Sequence, residues 1–294
     1  MAARDKDLPS RRVPGSGATR VGGAELLIAP RGRWAVVDVR ALWEFRDLLA
    51  SFAARDLRLR YRQTALGAAW VVVQPLIGAA IFTFVFGKIA DLPSGGVPYL
   101  LLSYTGLVAW TLFSGILTKS AASLVGNAPL VSKVYFPRLL LPLSVVASAF
   151  VDLGVALGVL AVMLAFYGVA PGIGLLMLPV WLLLVVLLAL GVGLIACSLM
   201  VRYRDVQYVL PVATQFLLFA SPVAYALSAV PAHLQAFVAV NPLTGILEAF
   251  RWSLLGSGDL PVAAVLWSTV ASCLAFGLGA LAFASLEREF ADVI

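Results

Sequence analysis

The sequence is short of charge, histidine and cysteine, and each shortage removes a class of function. Of 294 residues only 12% are Asp, Glu, Lys or Arg, while 62% are hydrophobic. A soluble domain of this size carries about a quarter charged residues. That excludes an ordinary soluble globular protein, and the mean hydropathy of +0.99 predicts an integral membrane protein. The single histidine, His233, has no Cys or His at metal-ligand spacing; a lone histidine is more commonly a surface residue than a ligand or general base. Cys197 and Cys273 both fall in apolar runs, where cysteine serves as a small hydrophobe, and two such distant residues do not argue for a disulfide. No G-x-x-x-x-G-K-[ST] phosphate loop occurs, so P-loop ATP hydrolysis is not expected of this chain. No catalytic residue, metal or cofactor is therefore assigned to it. Residues 1–23 hold no apolar stretch of the signal-peptide kind and have the composition of a disordered tail.

The charge that is present is unevenly placed. Residues 1–66 hold 13 of the 21 Lys and Arg and 7 of the 15 Asp and Glu, so the whole formal excess of +6 lies there. A basic arm can bind nucleic acid. Anchoring the first membrane span on its cytoplasmic side explains it without a further partner, and no nucleic acid is assigned. The stretch RDLRLRYRQTALGAAWVVVQP, residues 55–75, marks the boundary: Arg55, Arg58, Arg60 and Arg62 precede an apolar run free of charge until Lys88. Upstream, Leu42, Phe45, Leu48, Leu49 and Phe52 follow helical spacing. Glu44, Asp47, Arg55, Arg58 and Arg62 lie on the opposite side, which predicts an amphipathic helix in the headgroup region. The ELLIAPRGRWAVV stretch at 25–37 suits short strands or a turn. Three regions are thus expected: a basic tail (1–24), an interfacial segment (25–66) and a six-span membrane domain (67–294).

Six apolar runs cover residues 69–87, 98–118, 139–167, 175–200, 207–228 and 261–283. Each can cross about 30 Å of hydrocarbon at about 1.5 Å per residue. With the N-terminus inside, 19 basic residues fall on the cytoplasmic side, against only Lys88 and Arg251 outside; both termini are therefore expected in the cytoplasm. Pro75, Pro142, Pro179, Pro211 and Pro222 lie within runs and are expected to kink or interrupt them. Gly154/Gly158, Gly191/Gly193 and Gly277/Gly279 offer small surfaces for close helix packing. The segment 229–260 is long but apolar. Asn241–Pro242 forms a cap and first-turn pair, and the following residues predict one or two short helices dipping into the outer leaflet. Glu248 and Arg251 there have the spacing of an ion pair.

Few polar groups stand where chemistry could occur. Asp152, near the middle of the third run, must face protein or water; it either lines a path or is bonded within the bundle near Ser148, and no basic companion lies in any apolar run. Aromatics gather in the first and fifth runs, and either face sugar rings or form an interfacial belt. In the inner loop NAPLVSKVYFPRLLLP, Asn127 can cap a short helix ending before Pro137. That helix would present Leu130, Val131, Lys133, Val134, Tyr135 and Phe136 as a docking knob or as a membrane contact.

Several unusual strings occur together in one order: RDLRLRYRQTALGAAWVVVQP (55–75), GVPYLLLSYTGLVAW (96–110), LVSKVYFPRLLLP (130–142), RYRDVQYVLP (202–211), FASPVAY (219–225), NPLTGILEAFRW (241–252) and FADVI (290–294). From about residue 25 onward the chain resembles the membrane subunit of bacterial type-2 ABC exporters for polysaccharides and polyol phosphates, the group that includes O-antigen, capsule and teichoic-acid exporters. The resemblance implies an all-α homodimer of six-span subunits in the bacterial cytoplasmic membrane, with an N-terminal amphipathic interfacial helix and short re-entrant helices between spans five and six. It also implies two copies of a cytoplasmic ABC ATPase, which would carry ATP and Mg, and a lipid-linked polysaccharide as cargo. Asn127, Leu130, Lys133, Tyr135, Phe136 and Arg138 would then form the coupling helix, with Arg202, Arg204 and Asp205 as a second ATPase contact. Trp70, Gln74, Phe82, Phe216, Phe219 and Tyr225 would line the channel. Asn241, Glu248, Phe250, Arg251 and Trp252 would belong to the outer gate. Ala249, where glycine is expected, and Ala284–Ser285, in place of basic residues, depart from the pattern. Two alternatives remain beside export of a polymer: a type-2 ABC exporter of a small lipid or drug, and a membrane enzyme acting on lipid-linked sugars, for which Glu248, Arg251, Asp259 and His233 are the outer candidates.

Overall fold

A computed structural model of the protein describes residues 39–61, 69–134, 136–256 and 260–286. The expected tail, the 25–37 stretch, Arg62, Tyr135 and the C-terminal FADVI lie outside them. The described residues are helical, with no strand among them. Two helices, α1 (Val39–Glu44) and α2 (Arg46–Tyr61), precede α3 (Ala69–Phe82), which continues through a wider π-type stretch at Thr83–Ile89. Then come α4 (Tyr99–Ala122), α5 (Ala128–Val131), α6 (Leu140–Tyr167), α7 (Leu178–Arg202, extended upstream by a 3₁₀ turn at Ile173–Met177) and α8 (Val206–Ala220). The short α9 (Ala232–Val240) and α10 (Pro242–Leu255) lead to α11 (Val262–Leu286).

Five of these segments are long and apolar enough to cross a membrane: Ala69–Ile89, Tyr99–Ala122, Leu140–Tyr167, Ile173–Arg202 and Val262–Leu286. The fifth expected run, 207–228, stops at Ala220. Ser221 adopts φ −103°, ψ 148°, the extended backbone that a following proline imposes, and Pro222 cannot donate to continue the helix. Pro75 and Pro211 lie inside α3 and α8 as expected. Pro142 and Pro179 do not interrupt their spans. They occupy the first turns of α6 and α7, where a missing N–H costs nothing.

The bundle is built around α4 and α7. Buried residues make up 78% of the apolar window of α4 and 67% of that of α7, against 11% for α3, so α3 is a peripheral helix. Lipid tails supply no hydrophobic force between helices, so close approach through small residues carries the packing. A Cβ on Gly279 would overlap the Gly191 carbonyl, and one on Gly191 would overlap the backbone of Ala275; this is why α7 and α11 can touch backbone to backbone. Gly154 and Gly158, expected to serve the same purpose, face open space in the single chain. Polar ties supplement the packing. Trp181 Nε1 donates to Ser253 Oγ at 2.7 Å, joining α7 to α10, and Tyr104 Oη donates to the Ala156 carbonyl at 3.3 Å, joining α4 to α6.

Candidate functional site

At the end of the bundle holding α9 and α10, a non-helical stretch is buried. Ser221, Pro222, Val223 and Ala224 are all buried, and their backbone groups need partners because no helix supplies them. The Ser221 N–H donates to the Leu217 carbonyl and the Val223 N–H to the Ser221 carbonyl, and further partners come from side chains of GVPYLLLSYTGLVAW and NPLTGILEAFRW. Tyr99 Oη donates to the Ala224 carbonyl at 2.8 Å. Arg251 Nη2 donates to the Val223 carbonyl at 2.7 Å, and Nη1 donates to the Tyr225 carbonyl at 2.9 Å and to Glu248 Oε1 at 3.1 Å. Glu248 Oε1 also accepts from the Leu227 N–H at 3.0 Å. Asn241 caps α10 by accepting from the Leu243 N–H at 3.0 Å, while its Nδ2 donates to Ser221 Oγ at 2.8 Å. Gly106 lets α4 approach the Val223 carbonyl where a Cβ would overlap it. Burial lowers the pKa of Arg251, and the adjoining Glu248 carboxylate acts in the opposite direction. The Glu248–Arg251 pair is thus a staple for a broken helix. Phe250, expected at a gate, is instead fully buried in the main core, because α10 turns that face towards the bundle. Trp252 packs its ring against Gly174, and Ala249 is fully buried in the main core.

Between α3, α4, α6 and α8 lies a cavity of about 530 Å³. Trp70, Gln74 and Pro75 enter it from α3, Thr111, Ser114, Thr118 and Lys119 from α4, Asp152 from α6 and Gln215 from α8. Asp152 does have a basic companion, contrary to the expectation from the apolar runs: Lys119 Nζ lies 3.9 Å from Asp152 Oδ2. Ser120 Oγ donates to the Pro142 carbonyl and Tyr104 Oη to that of Ala156. These two bonds bracket Asp152 along α6, so Lys119 reaches inward along the bundle rather than away from it. Ser148, the other expected partner, donates to the Val145 carbonyl instead. Phe82, Phe216, Phe219 and Tyr225 do not line this cavity. Phe82 and Tyr225 both pack on Phe86, while Phe216 and Phe219 are exposed on α8.

At the opposite end, α5 is only a single turn. Asn127 holds the cap position without capping; its Nδ2 donates back to the Ser123 carbonyl at 2.8 Å. Lys133 and Val134 are exposed, whereas Val131 and Phe136 are buried, a correction to the expected outward knob. Phe136 meets Phe52 of α2 edge to face at 5.6 Å, within a second core that includes Leu124, Leu140 and Leu194. The apolar face of α1 and α2, with Leu42, Phe45, Leu48 and Leu49, packs on this core, and Arg55 lies 5.3 Å over the Phe52 ring. Arg202, Arg204 and Asp205 are exposed in the tight connection between α7 and α8.

Residues 48–255, all of the bundle up to the end of α10, match the ABC-2 type transporter family. The chain belongs to that family. Among its relatives, an O-antigen export system permease protein RfbA from Klebsiella pneumoniae is 27% identical over 252 residues, covering 84% of this chain and 95% of the relative. The RfbA permease of Myxococcus xanthus is 27% identical over 259 residues, 87% and 98% of the two chains. The polysialic acid transport protein KpsM of Escherichia coli is 26% identical over 204 residues, 67% and 77% of the two.

For this ABC-2 transporter chain, a multi-pass membrane protein, sequence spacing missed the residues whose partners are distant. Tyr99 and Lys119 each act across the bundle, and nothing local marks them. One signal was available for the staple: Ser221–Pro222 must break a helix, and a broken helix in a membrane needs donors. Tyr99, Glu248 and Arg251 sit in the flanking strings.

Proposed function

We propose that this chain is the transmembrane subunit of an ATP-driven exporter that moves a lipid-linked polysaccharide across the bacterial cytoplasmic membrane. The observation that carries this reading is its likeness, along almost the full length of each relative, to permeases named for O-antigen export. A cavity in the bundle that mixes apolar side chains with Gln74, Thr111, Thr118 and Gln215 supports it. Two copies would pair, and each would receive a cytoplasmic ABC ATPase that binds ATP and Mg, since no P-loop occurs in this sequence. α8 with the stapled stretch after it would complete a sixth crossing, and α9 and α10 would re-enter the outer leaflet. Both termini would face the cytoplasm, where the basic residues concentrate.

In this reading the exposed Lys133 and neighbouring Asn127, Leu130 and Arg138 meet the ATPase, with Arg202, Arg204 and Asp205 as the second contact. Phe136 would transmit the push inward, to Phe52 on the interfacial helix. Trp70, Gln74 and Pro75 would border the path. Deleting the gene tests the proposal: finished polymer should accumulate inside the cell while surface polymer is lost. Unfinished polymer would indicate an enzyme of synthesis instead, and unchanged surface polymer would reject export.

A further inference from the structure

The outer end of the first span, Thr83–Ile89, is wound as a π-helix, whose i to i+5 bonds close a turn over one residue more than an α-helix does, and which occurs mostly as short bulges, frequently at functional places. This wide stretch is tied to its surroundings. A Cβ on Gly87 would lie 2.8 Å from Cγ of Tyr99, so that ring packs directly on the glycine, and Tyr99 in turn holds the Ala224 carbonyl. Phe86 meets Tyr225 at 6.5 Å between ring centroids. On the other side of the wide stretch, α3 touches α4 through small residues. A Cβ on Gly78 would lie 3.2 Å from Leu107 Cδ1, Ala79 is fully buried in the main core, and Ala80, the third of the run, is exposed.

Returning the wide turn to α form sheds one residue between the tied end and the rest of α3. The helix before it must then advance by one residue, a turn of about 100° with a shift of about 1.5 Å. Each place along it passes to the residue that follows. The place of Gly78 goes to Ala79 and that of Ala79 to Ala80. For the first exchange Leu107 Cδ1, the far end of a flexible side chain, has only to give by a few tenths of an ångström. The second replaces alanine by alanine. The Gly-Ala-Ala run therefore offers α3 two discrete seats on α4, the kind of bistable contact that switching helices use.

Resting on the export reading above, we propose that Thr83–Ile89 is a register switch: π-helical in the present state and α-helical in the state that ATP drives. α3 then turns on α4 by one residue while its outer end keeps its hold on Ala224 and Tyr225. A π stretch that only shapes the packing makes a different prediction, one register in every state.

The test uses the permease with its cognate ATPase in nanodiscs, with Cys197→Ala and Cys273→Ala as background and one of two cysteine pairs added: Gly78→Cys with Leu107→Cys, or Ala79→Cys with Leu107→Cys. Oxidative cross-linking is read by mass spectrometry without nucleotide and after trapping with ATP and vanadate. The yield of the Gly78 pair relative to the Ala79 pair should fall at least about threefold on trapping. Deletion of Phe84, whose side chain is exposed, removes the extra residue. It should leave the thermal midpoint in detergent equal or higher, hold the ratio at its nucleotide-free value and abolish surface polymer. Ala80→Leu is accommodated in the present register and too large in the shifted one. It should keep the wild-type thermal midpoint, hold the ratio unshifted under vanadate and lower surface polymer, whereas Ala80→Ser should retain it. A ratio unmoved by trapping in a complex that hydrolyses ATP overturns the inference, as does Ala80→Leu with a ratio that still shifts, and the first comparison stands whichever of the other variants fold. If the ratio does not move while deletion of the gene still traps finished polymer inside, the inference fails and export stands. If deletion of the gene leaves surface polymer unchanged, the export reading fails irrespective of the cross-linking.

Discussion

Replacing Arg251 with methionine keeps much of the side chain's bulk and removes its guanidinium. Three hydrogen bonds go with it, at 2.7 Å to Val223, 2.9 Å to Tyr225 and 3.1 Å to Glu248. The Val223 carbonyl belongs to the buried, non-helical stretch and that of the half-buried Tyr225 follows it, and an unsatisfied buried acceptor costs about 1–3 kcal/mol. Glu248 keeps its bond from Leu227 but becomes an unpaired, largely buried carboxylate. Breaking a buried ion pair from one side typically costs about 3–5 kcal/mol, and that is the destabilisation expected here. Against a total stability of about 5–15 kcal/mol, the purified protein should lose its monodisperse peak at a clearly lower temperature when heated in detergent. The double variant Glu248→Gln/Arg251→Met should recover part of the loss, because no charge is stranded and Gln still accepts from the Leu227 N–H. An Arg251→Met protein within about 1 kcal/mol of wild type would refute the staple. So would a double variant that loses the full sum of the two single effects.

Gly279→Leu should separate α7 from α11 and destabilise by about 1–3 kcal/mol or more, whereas Gly154→Leu, facing open space, should change the same detergent melt by less than about 0.5 kcal/mol. Phe136→Ala removes the ring that holds Phe52 and should cost up to about 3–5 kcal/mol; limited trypsin digestion should then cut α2 at its arginines faster than in wild type. Pro75→Ala restores a donor inside α3 and should leave the thermal midpoint equal or higher while lowering surface polymer, if flexion at Gln74–Pro75 serves transport. A single substitution that leaves surface polymer unchanged removes that role from Pro75.

The parts of the fold governed by local chemistry were legible in the sequence. Apolar runs marked the long helices, Asn241–Pro242 marked the start of α10, and the spacing of Glu248 and Arg251 marked an ion pair that the structure has at 3.1 Å. What escaped notice depends on which way a residue turns once the bundle has formed. Phe136 reads as part of an outward docking knob but is a core residue, since a loop with a single helical turn can present either side and sequence spacing does not choose between them. Lys119 is one of the 19 basic residues counted on the cytoplasmic side, and a lysine near a span end ordinarily extends towards water. Asp152 reverses that habit by offering a counter-charge within the bundle, and only the packing of α4 on α6 brings the two together. The early end of the fifth run was written in Ser221–Pro222. The polar groups that make the break tolerable come from α4 and α10, distant in sequence.

The account rests on this chain moving a finished glycan when a partner hydrolyses ATP. Proteoliposomes holding the permease and its cognate ATPase, supplied with a lipid-linked glycan on the ATPase side, test that claim directly by measuring how much glycan becomes protected from an externally added glycosidase. Protection should rise with ATP and vanish when the ATPase is catalytically inactive. Protection that is the same with and without ATP, in vesicles where the ATPase is active, would contradict it.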